Sequence, residues 1–500
     1  MEHEIELKLR VEPDAADRVL RTPALRGLRE GRARAERLVS VYFDTENCAL
    51  AARGLALRIR HSGRSRVQTV KGPLANGHGG SLQRHGEWTT EIAGDRPDLD
   101  RIAEPDLRKF LTRRKLKNGL EEVFRTEIHR RTVPLVFGET RAELAFDHGV
   151  IRSGEREEPV CEVELELLEG DPSHLYDIAL MLAGELPLCV EHRTKSARGY
   201  RLFRGTQPVA IRAGGLDLAP AMTVRDAFFA IANGCLAQLR ANEMLVLEGQ
   251  DPEGIHQVRV SVRRLRAALS VFRQAMPERE WDLFRGELRW LQRSLGPARD
   301  WDVLIGESLE QLAVEIGRDG NLDALIARAR AERDEAYRAA CAALRSARHT
   351  AFQLLFDRWL EGGAAGLEDG PVLPFAVAVL DRCDRKLRDA GRNLDGLSET
   401  ERHDLRIKAK KTRYAAEFFR ALFAKRTAGR YIGALKRMQD SLGVLNDVAA
   451  ARALMAEVGL VDLPGAALLD GWLAHARVAG KSRLAPLWQG YYASRGFWCR

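Results

Sequence analysis

Cysteine is sparse. The 500 residues hold seven (Cys48, Cys161, Cys189, Cys235, Cys341, Cys383 and Cys499), scattered and with no C-x-x-C pair. That spacing excludes a disulfide framework and a zinc knuckle, and points to the reducing cytosol. Long apolar runs are missing too. None approaches the roughly 18 residues of a spanning helix, so no membrane partner is expected. The opening residues, MEHEIELKLR, are acidic and polar and do not read as a secretory signal. Aromatic residues are only 7% of the chain. They scarcely interleave with its basic helices, so base stacking has little support and nucleic acid is not an expected partner. The length implies at least two domains.

What is present begins with alternation. In EIELK and the residue after it, Glu4, Glu6 and Lys8 alternate with Ile5, Leu7 and Leu9. Such alternation predicts a β-strand with one apolar and one charged face. The first 200 or so residues offer eight candidate strands: 3–11, 36–44, 56–61, 66–72, 86–93, 122–133, 141–149 and 160–169. Helical stretches fall near 13–21 and 174–185. Several strands repeat the charged face. Glu162, Glu164 and Glu166 alternate with Val163, Leu165 and Leu167; Arg58 and Arg60 alternate with Leu57 and Ile59. Glu143 and Asp147 are in phase, and Lys71 ends RVQTVK. A solvated, salt-bridged sheet would account for one such strand. Repetition favours an eight-stranded antiparallel barrel, apolar faces outward against helices and charges in the lumen. A lumen of mixed charge suits a many-oxygened anion together with Mg2+ or Mn2+. Arginine forks suit phosphate oxygens.

Residues 204–220 read as a linker rich in glycine and proline. Thr223 and Asp226 then have capping-box spacing. From 221 to 500 the pattern is helical, so the whole is a multidomain α+β chain ending in an all-α part. A break at 361–374 divides that part into about 221–360 and 373–500. The two pieces repeat each other. HQVRVSVRRLRAALSVFR starts at His256 and HDLRIKAKKTRYAAEFFR at His403, 147 positions on. The same offset lays GELRWLQRSLGPARD (286–300) on GALKRMQDSLGVLND (433–447) without a gap. This is a duplication, and it fits a pseudo-twofold pair of helical bundles.

The duplicated part is also the basic part. Residues 221–500 hold 43 basic and 36 acidic side chains, against 36 and 35 before them, so +7 of the net +8 lies there. His256, Arg259, Arg263 and Arg266 form one helical stripe. His403, Arg406, Lys410 and Arg413 repeat it. Arg264 and Lys411 stand beside the stripes, and Arg289 and Lys436 come from the next helix of each copy. The window 256–273 has five arginines and no acid. A solvated basic face usually has i,i+4 acid partners, and this one lacks them. Two such stripes would form a cationic groove for a phosphate chain.

The E-x-E-x-K start is followed in order by YFDT (42–45), LALRIR (55–60), TVKG (69–72), Phe124 to Arg130, ELAFD (143–147), CEVELELLEG (161–170) and KSARGY (195–200). Over residues 1–203 this set resembles the CYTH family of triphosphate tunnel enzymes. The H-x-x-R-x-x-x-R/K-R/K pattern of both helical copies, over 221–500, resembles the CHAD domain. The first resemblance implies a tunnel that binds triphosphate with Mg2+ or Mn2+ and usually hydrolyses it. Glu4, Glu6, Glu143, Asp147, Glu162 and Glu164 would be its metal-binding and catalytic acids. Lys8, Arg58, Arg60, Lys71, Arg130, Lys195 and Arg198 would hold phosphate. The second resemblance implies binding of long-chain inorganic polyphosphate by the basic stripes.

Together they set the expectation of a cytoplasmic inorganic triphosphatase, associated with polyphosphate granules, cleaving tripolyphosphate to diphosphate and phosphate. Every proposed catalytic group lies in 1–203, so that stretch is expected to act alone. Other readings stay open: a non-catalytic polyphosphate-binding or granule-targeting protein, a thiamine or nucleoside triphosphatase, an adenylate cyclase, or an RNA 5′-triphosphatase.

Overall fold

Alternation is realised as strands almost throughout the N-terminal part. The computed structural model describes residues 2–63, 65–73, 80–249, 251–394 and 396–499. Its strands are β1 (Glu2–Val11), β2 (Arg34–Asp44), β3 (Ala56–Ser62), β4 (Ser65–Pro73), β5 (Leu82–Glu91), β6 (Glu121–Phe137), β7 (Thr140–Ser153), β8 (Arg156–Glu169) and β9 (Leu188–Val190). The order is β5-β4-β3-β2-β6-β7-β8-β1-β9, and β1 also pairs with β5. That pairing closes eight antiparallel strands into a barrel. The short β9 extends the sheet beside the end of β1, where Leu9 pairs with Val190.

Four α-helices accompany the barrel: α1 (Pro105–Leu111), α2 (Arg114–Lys117), α3 (Ser173–Ala183) and α4 (Lys195–Arg204). The stretch Pro13–Arg21 is 3-10 rather than α. The apolar strand faces do point outward. Leu7, Leu9, Leu144, Val163 and Leu165 pack with Leu175, Ile178 and Leu182 of α3. Leu57, Ile59 and Val70 pack with Leu107, Leu111 and Leu116 of α1 and α2. Slipping a strand by one residue would put charges into these cores, so burial fixes the register.

From Val224 the chain is helical: α5 (Val224–Gly249), α6 (Pro252–Phe272), α7 (Glu278–Ser294), α8 (Gly296–Leu304), α9 (Glu310–Ile316), α10 (Gly320–Arg345), α11 (Ala347–Glu361), α12 (Val372–Ala390), α13 (Glu399–Phe419), α14 (Lys425–Glu457) and α15 (Ala466–Tyr492). None of the described helices is long and apolar enough to cross a membrane. The capping box forms: Thr223 N–H donates to Asp226, and Asp226 N–H donates to the Thr223 hydroxyl.

The duplication is visible in the backbone. Val224 N–H donates to Gly370 O, and Val372 N–H donates to Met222 O, the same bond with the copies exchanged. The copies differ at one helix. Where α14 runs unbroken, the first copy is interrupted at Leu295, between α7 and α8, and at a π-helical turn at Ile305–Leu309. Pro297 stands two residues past the first interruption, where the second copy has Val444. Proline lacks the N–H that would continue the helix.

The chain divides into two compact units. One is Met1–Pro208 together with Arg345–Ala365; the other is Val209–Leu344 with Gly366–Arg500. The tunnel unit therefore extends beyond residues 1–203, which the sequence led us to treat as sufficient. Helix α11 completes it. Leu354 enters the same core as Leu7 and Ile178. Buried Asp357 accepts hydrogen bonds from the Ser81 N–H (2.9 Å) and the Ser81 hydroxyl. Glu361 pairs with Arg84 at 2.5 Å. Thr350 donates to Leu188 O at 2.6 Å. These contacts reach the start of β5 and the short β9, the two strands that share the edge of β1.

Candidate functional site

The barrel's inner face carries the charges. Two networks of ion pairs cross it. In the first, Glu4 pairs with Lys71, and Glu87 lies 3.3 Å from both Lys71 and Arg58. In the second, the Lys8 ammonium lies 2.9 Å from Glu6 and 2.5 Å from Glu164. Arg130 forks onto Asp147 at 2.7 and 2.6 Å and reaches Glu164 at 2.5 Å. Lys195 lies 2.7 Å from Asp147 and 3.0 Å from Glu164, and also pairs with Glu162. Arg198 bonds Glu162 at 3.0 Å and Glu158 at 2.7 Å.

Burial alone would strip these groups of charge, and their partners outweigh it. Lys8 is held well above the usual lysine value against burial, by Glu164 and then Glu6. Glu164 is held well below the carboxylate range against burial, by Lys195, Lys8 and Arg130. Pairs of this kind cost desolvation that their mutual attraction must offset.

Arg60, Glu166 and Glu143 stand outside the pairing among the described residues. Arg60 has no ion pair among the described residues, and its Nε is buried without a hydrogen bond. Arg58 beside it, then burial, bring its guanidinium down to about 10. Glu166, opposite Glu6 in the β1–β8 register, is pushed up to about 7 by burial and by the charges of Glu4 and Glu6. Glu143 is in phase and faces Glu166 across the β7–β8 ladder, in no ion pair among the described residues. The lumen thus has a cation-rich side at Arg58, Arg60 and Arg130 and an acid-rich side at Glu4, Glu6 and Glu166.

Helix α4 lies on the lumen side of β6 to β8, its Tyr200 clustered with Phe124, Ile128, Ile151 and Val160. Gly199 makes this approach possible. A Cβ there would stand 2.2 Å from the Phe124 ring. Gly199→Ala should therefore cost about 1–3 kcal/mol through overpacking. It should also lower turnover by shifting Lys195 and Arg198. Thermal melts and kinetics on the same preparation check this; an unchanged melt would mean that the helix has room to spare.

Sequence reasoning left four lumen residues out of its candidate site. Glu166 was in plain view as the third acid of its alternating run. Glu158 is a further in-phase acid of β8. Glu87 and Tyr42 carried no signal, since only strand pairing puts Glu87 opposite Lys71 and Tyr42 opposite Arg58. The Tyr42 phenol is pulled down, against burial, by Arg58, Arg60 and Lys71, which marks how cationic that side is.

In the helical unit, Arg263 and Arg266 of one copy and His403, Arg406, Lys410 and Lys411 of the other line one cavity of about 530 Å3. Trp281, Arg285 and Tyr414 join them and were not anticipated. The acid partners absent from the local sequence come from elsewhere in the fold. Arg259 lies 3.6 Å from Asp300, and its repeat mate Arg406 lies 3.7 Å from Asp447. Arg266 donates to Gln292, and its mate Arg413 donates to Gln439 at 2.8 Å. Even so, Nε atoms of Arg259, Arg263 and Arg406 are buried without a hydrogen bond among the described residues.

Not every expected groove residue lies on its wall. Arg264 turns to Glu417, 3.6 Å away, and lies over the Phe418 ring. Arg413 pairs with Glu417 at 2.5 Å. Arg289 and Lys436 are exposed. His256 is brought down to about 4 by burial and by Arg299 and Arg263, so it is neutral at pH 7.

A closed antiparallel barrel with a charged lumen, followed by a duplicated helical unit, defines the class of protein. The chain belongs to the CYTH and CHAD families: the CYTH domain matches residues 2–200 and the CHAD domain residues 230–456. It is 28% identical over 168 residues to an inorganic triphosphatase of Haemophilus influenzae, a match covering 33% of this chain and 46% of that protein. The chain thus spans less than half of that relative's length. An uncharacterized protein of Mycobacterium tuberculosis is 26% identical over 411 residues, 76% of this chain and 75% of its own. The crystal structure of the CHAD domain from the plant Ricinus communis superposes with a TM-score of 0.52 at 31% identity, covering 57% of this chain and 98% of that one.

Proposed function

We propose that this protein is a divalent-metal-dependent inorganic triphosphatase that cleaves tripolyphosphate to diphosphate and phosphate, and that its helical unit holds long-chain polyphosphate. The observation that carries the tunnel reading is Arg60. A half-buried guanidinium whose Nε is buried without a hydrogen bond, and which has no ion pair among the described residues, is costly unless an anion completes it. Arg58, Arg60, Arg130 and Lys71 are the groups that would bind and orient the phosphate oxygens, matching charge as it develops on the leaving diphosphate. The likeness to a named inorganic triphosphatase supports the same reading.

The lumen residues fit a divalent cation. Every donor is a carboxylate oxygen, the type that Mg2+ and Mn2+ prefer. Two acid sets compete for it. Asp147, Glu162 and Glu164 lie within 4.8 Å of one another, but Lys195, Lys8 and Arg130 already neutralise them. Glu4, Glu6 and Glu166 are in excess over their cations, so these are the residues that would hold the metal. When bound, it would neutralise phosphate oxygens and acidify a water. Phosphate release from tripolyphosphate, thiamine triphosphate and ATP, each with Mg2+ and with Mn2+, tests the proposal. Tripolyphosphate is expected to be fastest, and inertness toward all three would overturn the enzymatic reading.

The groove yields a pH signature. Lys410 is brought down to about 7 by burial and by the charges of Arg406 and Arg263. A bound polyanion offsets those charges and raises it. Above that value, binding then takes up a proton. Polyphosphate affinity should fall as pH rises from about 7 to 9 and be nearly level below that range. Lys410→Arg stays charged and should flatten the slope. An unchanged slope in that variant would assign the proton to another group.

A further inference from the structure

The duplication supplies an internal comparison. At the offset of 147, Lys411 corresponds to Arg264, Lys408 to Ser261, and Ser270 to Glu417. The helices before them are related by 148, as the bridged pair Thr223 and Pro371 shows. Arg382 and Lys386 then correspond to Gly234 and Gln238.

At the corresponding place in the first copy, Arg264 meets the carboxylate of Glu417, which Arg413 shares. In the second, Arg382, Lys386, Lys408 and Lys411 line a cavity of about 50 Å3 with Ser270 and Thr412, and no acid is among its lining residues. The hydroxyl that replaces the carboxylate brings no charge. Three cations have been added where the first copy has Gly, Gln and Ser. Among the described residues, none of Lys386, Lys408 and Lys411 forms an ion pair, and Arg382 donates to the neutral Gln274. Arg382, Lys408 and Lys411 are half-buried and Lys386 is exposed; like charges gathered there repel one another, and an anion relieves that cost. The cavity exceeds the space of one water, which suits a small tetrahedral oxyanion.

We propose that this cavity between α12 and α13 is a second anion site, taking one phosphate-type oxyanion where the corresponding place beside Arg264 is filled by the carboxylate of Glu417. The oxyanion is either free orthophosphate or the terminal phosphate of a chain lying in the adjoining groove, since Lys411 lines both. The second source rests on the groove reading above; the first does not.

The test is calorimetric titration of the full chain with orthophosphate and, separately, with long-chain polyphosphate. Ser270→Glu supplies the missing carboxylate. It should remove one orthophosphate equivalent and raise the melting temperature of the ligand-free protein. A Lys386→Met, Lys408→Met variant should weaken the same event by about tenfold or more. If orthophosphate fails to bind but Lys386→Met, Lys408→Met weakens chain binding, the site holds chain ends, because those two lysines line this cavity and not the groove, whereas Ser270 lines both. If both variants match the wild type with both ligands, the four cations are merely solvated and the proposal falls. The groove reading fails by a different result: long-chain binding unchanged in Arg263→Met, Lys410→Met.

Discussion

Tripolyphosphate hydrolysis should fall by about 10²–10³-fold in a Glu4→Gln, Glu6→Gln double variant, the scale of losing electrostatic stabilisation at a reacting centre. The fold should survive. Glutamine keeps the shape, and neither lysine is left without an acid: Lys71 retains Glu87 at 3.3 Å and Lys8 retains Glu164 at 2.5 Å. Glu166 loses the two charges that, after burial, push it up to about 7, so stability should hold or rise at neutral pH. Metal titration of the variant should show weakened Mg2+ and Mn2+ binding beside the lost turnover. Normal turnover in a folded double variant would remove these acids from the reaction.

The second large effect falls on folding. Asp357→Ala leaves the Ser81 N–H and hydroxyl without their buried acceptor, and each orphaned group costs about 1–3 kcal/mol. Ser81 precedes β5, whose pairing with β1 closes the barrel. The variant should therefore melt at a lower temperature and lose hydrolysis as the seam loosens. A fragment of residues 1–203 lacks α11 altogether. It exposes Leu188 O and the core surface that Leu354 covers, and it should be unstable and poorly active, contrary to the expectation from sequence. Chemical denaturation of Asp357→Ala, and expression of the fragment, decide this. A folded, fully active fragment would show that α11 is dispensable.

Much of the architecture is legible because it is locally written. All eight expected strands appear within a few residues of their expected bounds, since a period of two and a buried face leave one register. The capping box at Thr223 and the duplication are equally local. The short β9 was not foreseen, because three residues of strand carry no period. The 3-10 turn at Pro13–Arg21 has helical spacing in sequence, and its hydrogen bonding could not be read from that spacing.

The site divides the same way. The sequence by itself determined that the charged strand faces line a lumen and that two basic stripes exist, because side-chain direction follows from backbone period; Glu87 and Tyr42 joined the lumen only through strand pairing. It determined the two families for the same reason, since their motifs sit on individual strands and helices. Only the tertiary structure decided which charges meet. Glu87 reaches Lys71 and Arg58, Asp300 reaches Arg259, Glu417 claims Arg264, and Asp357 finds Ser81 across 276 residues. Each of these pairs is made by strand pairing or by packing between separate elements of the fold. Ion-pair energy depends on separation in space and on burial, and neither quantity is encoded in any one segment.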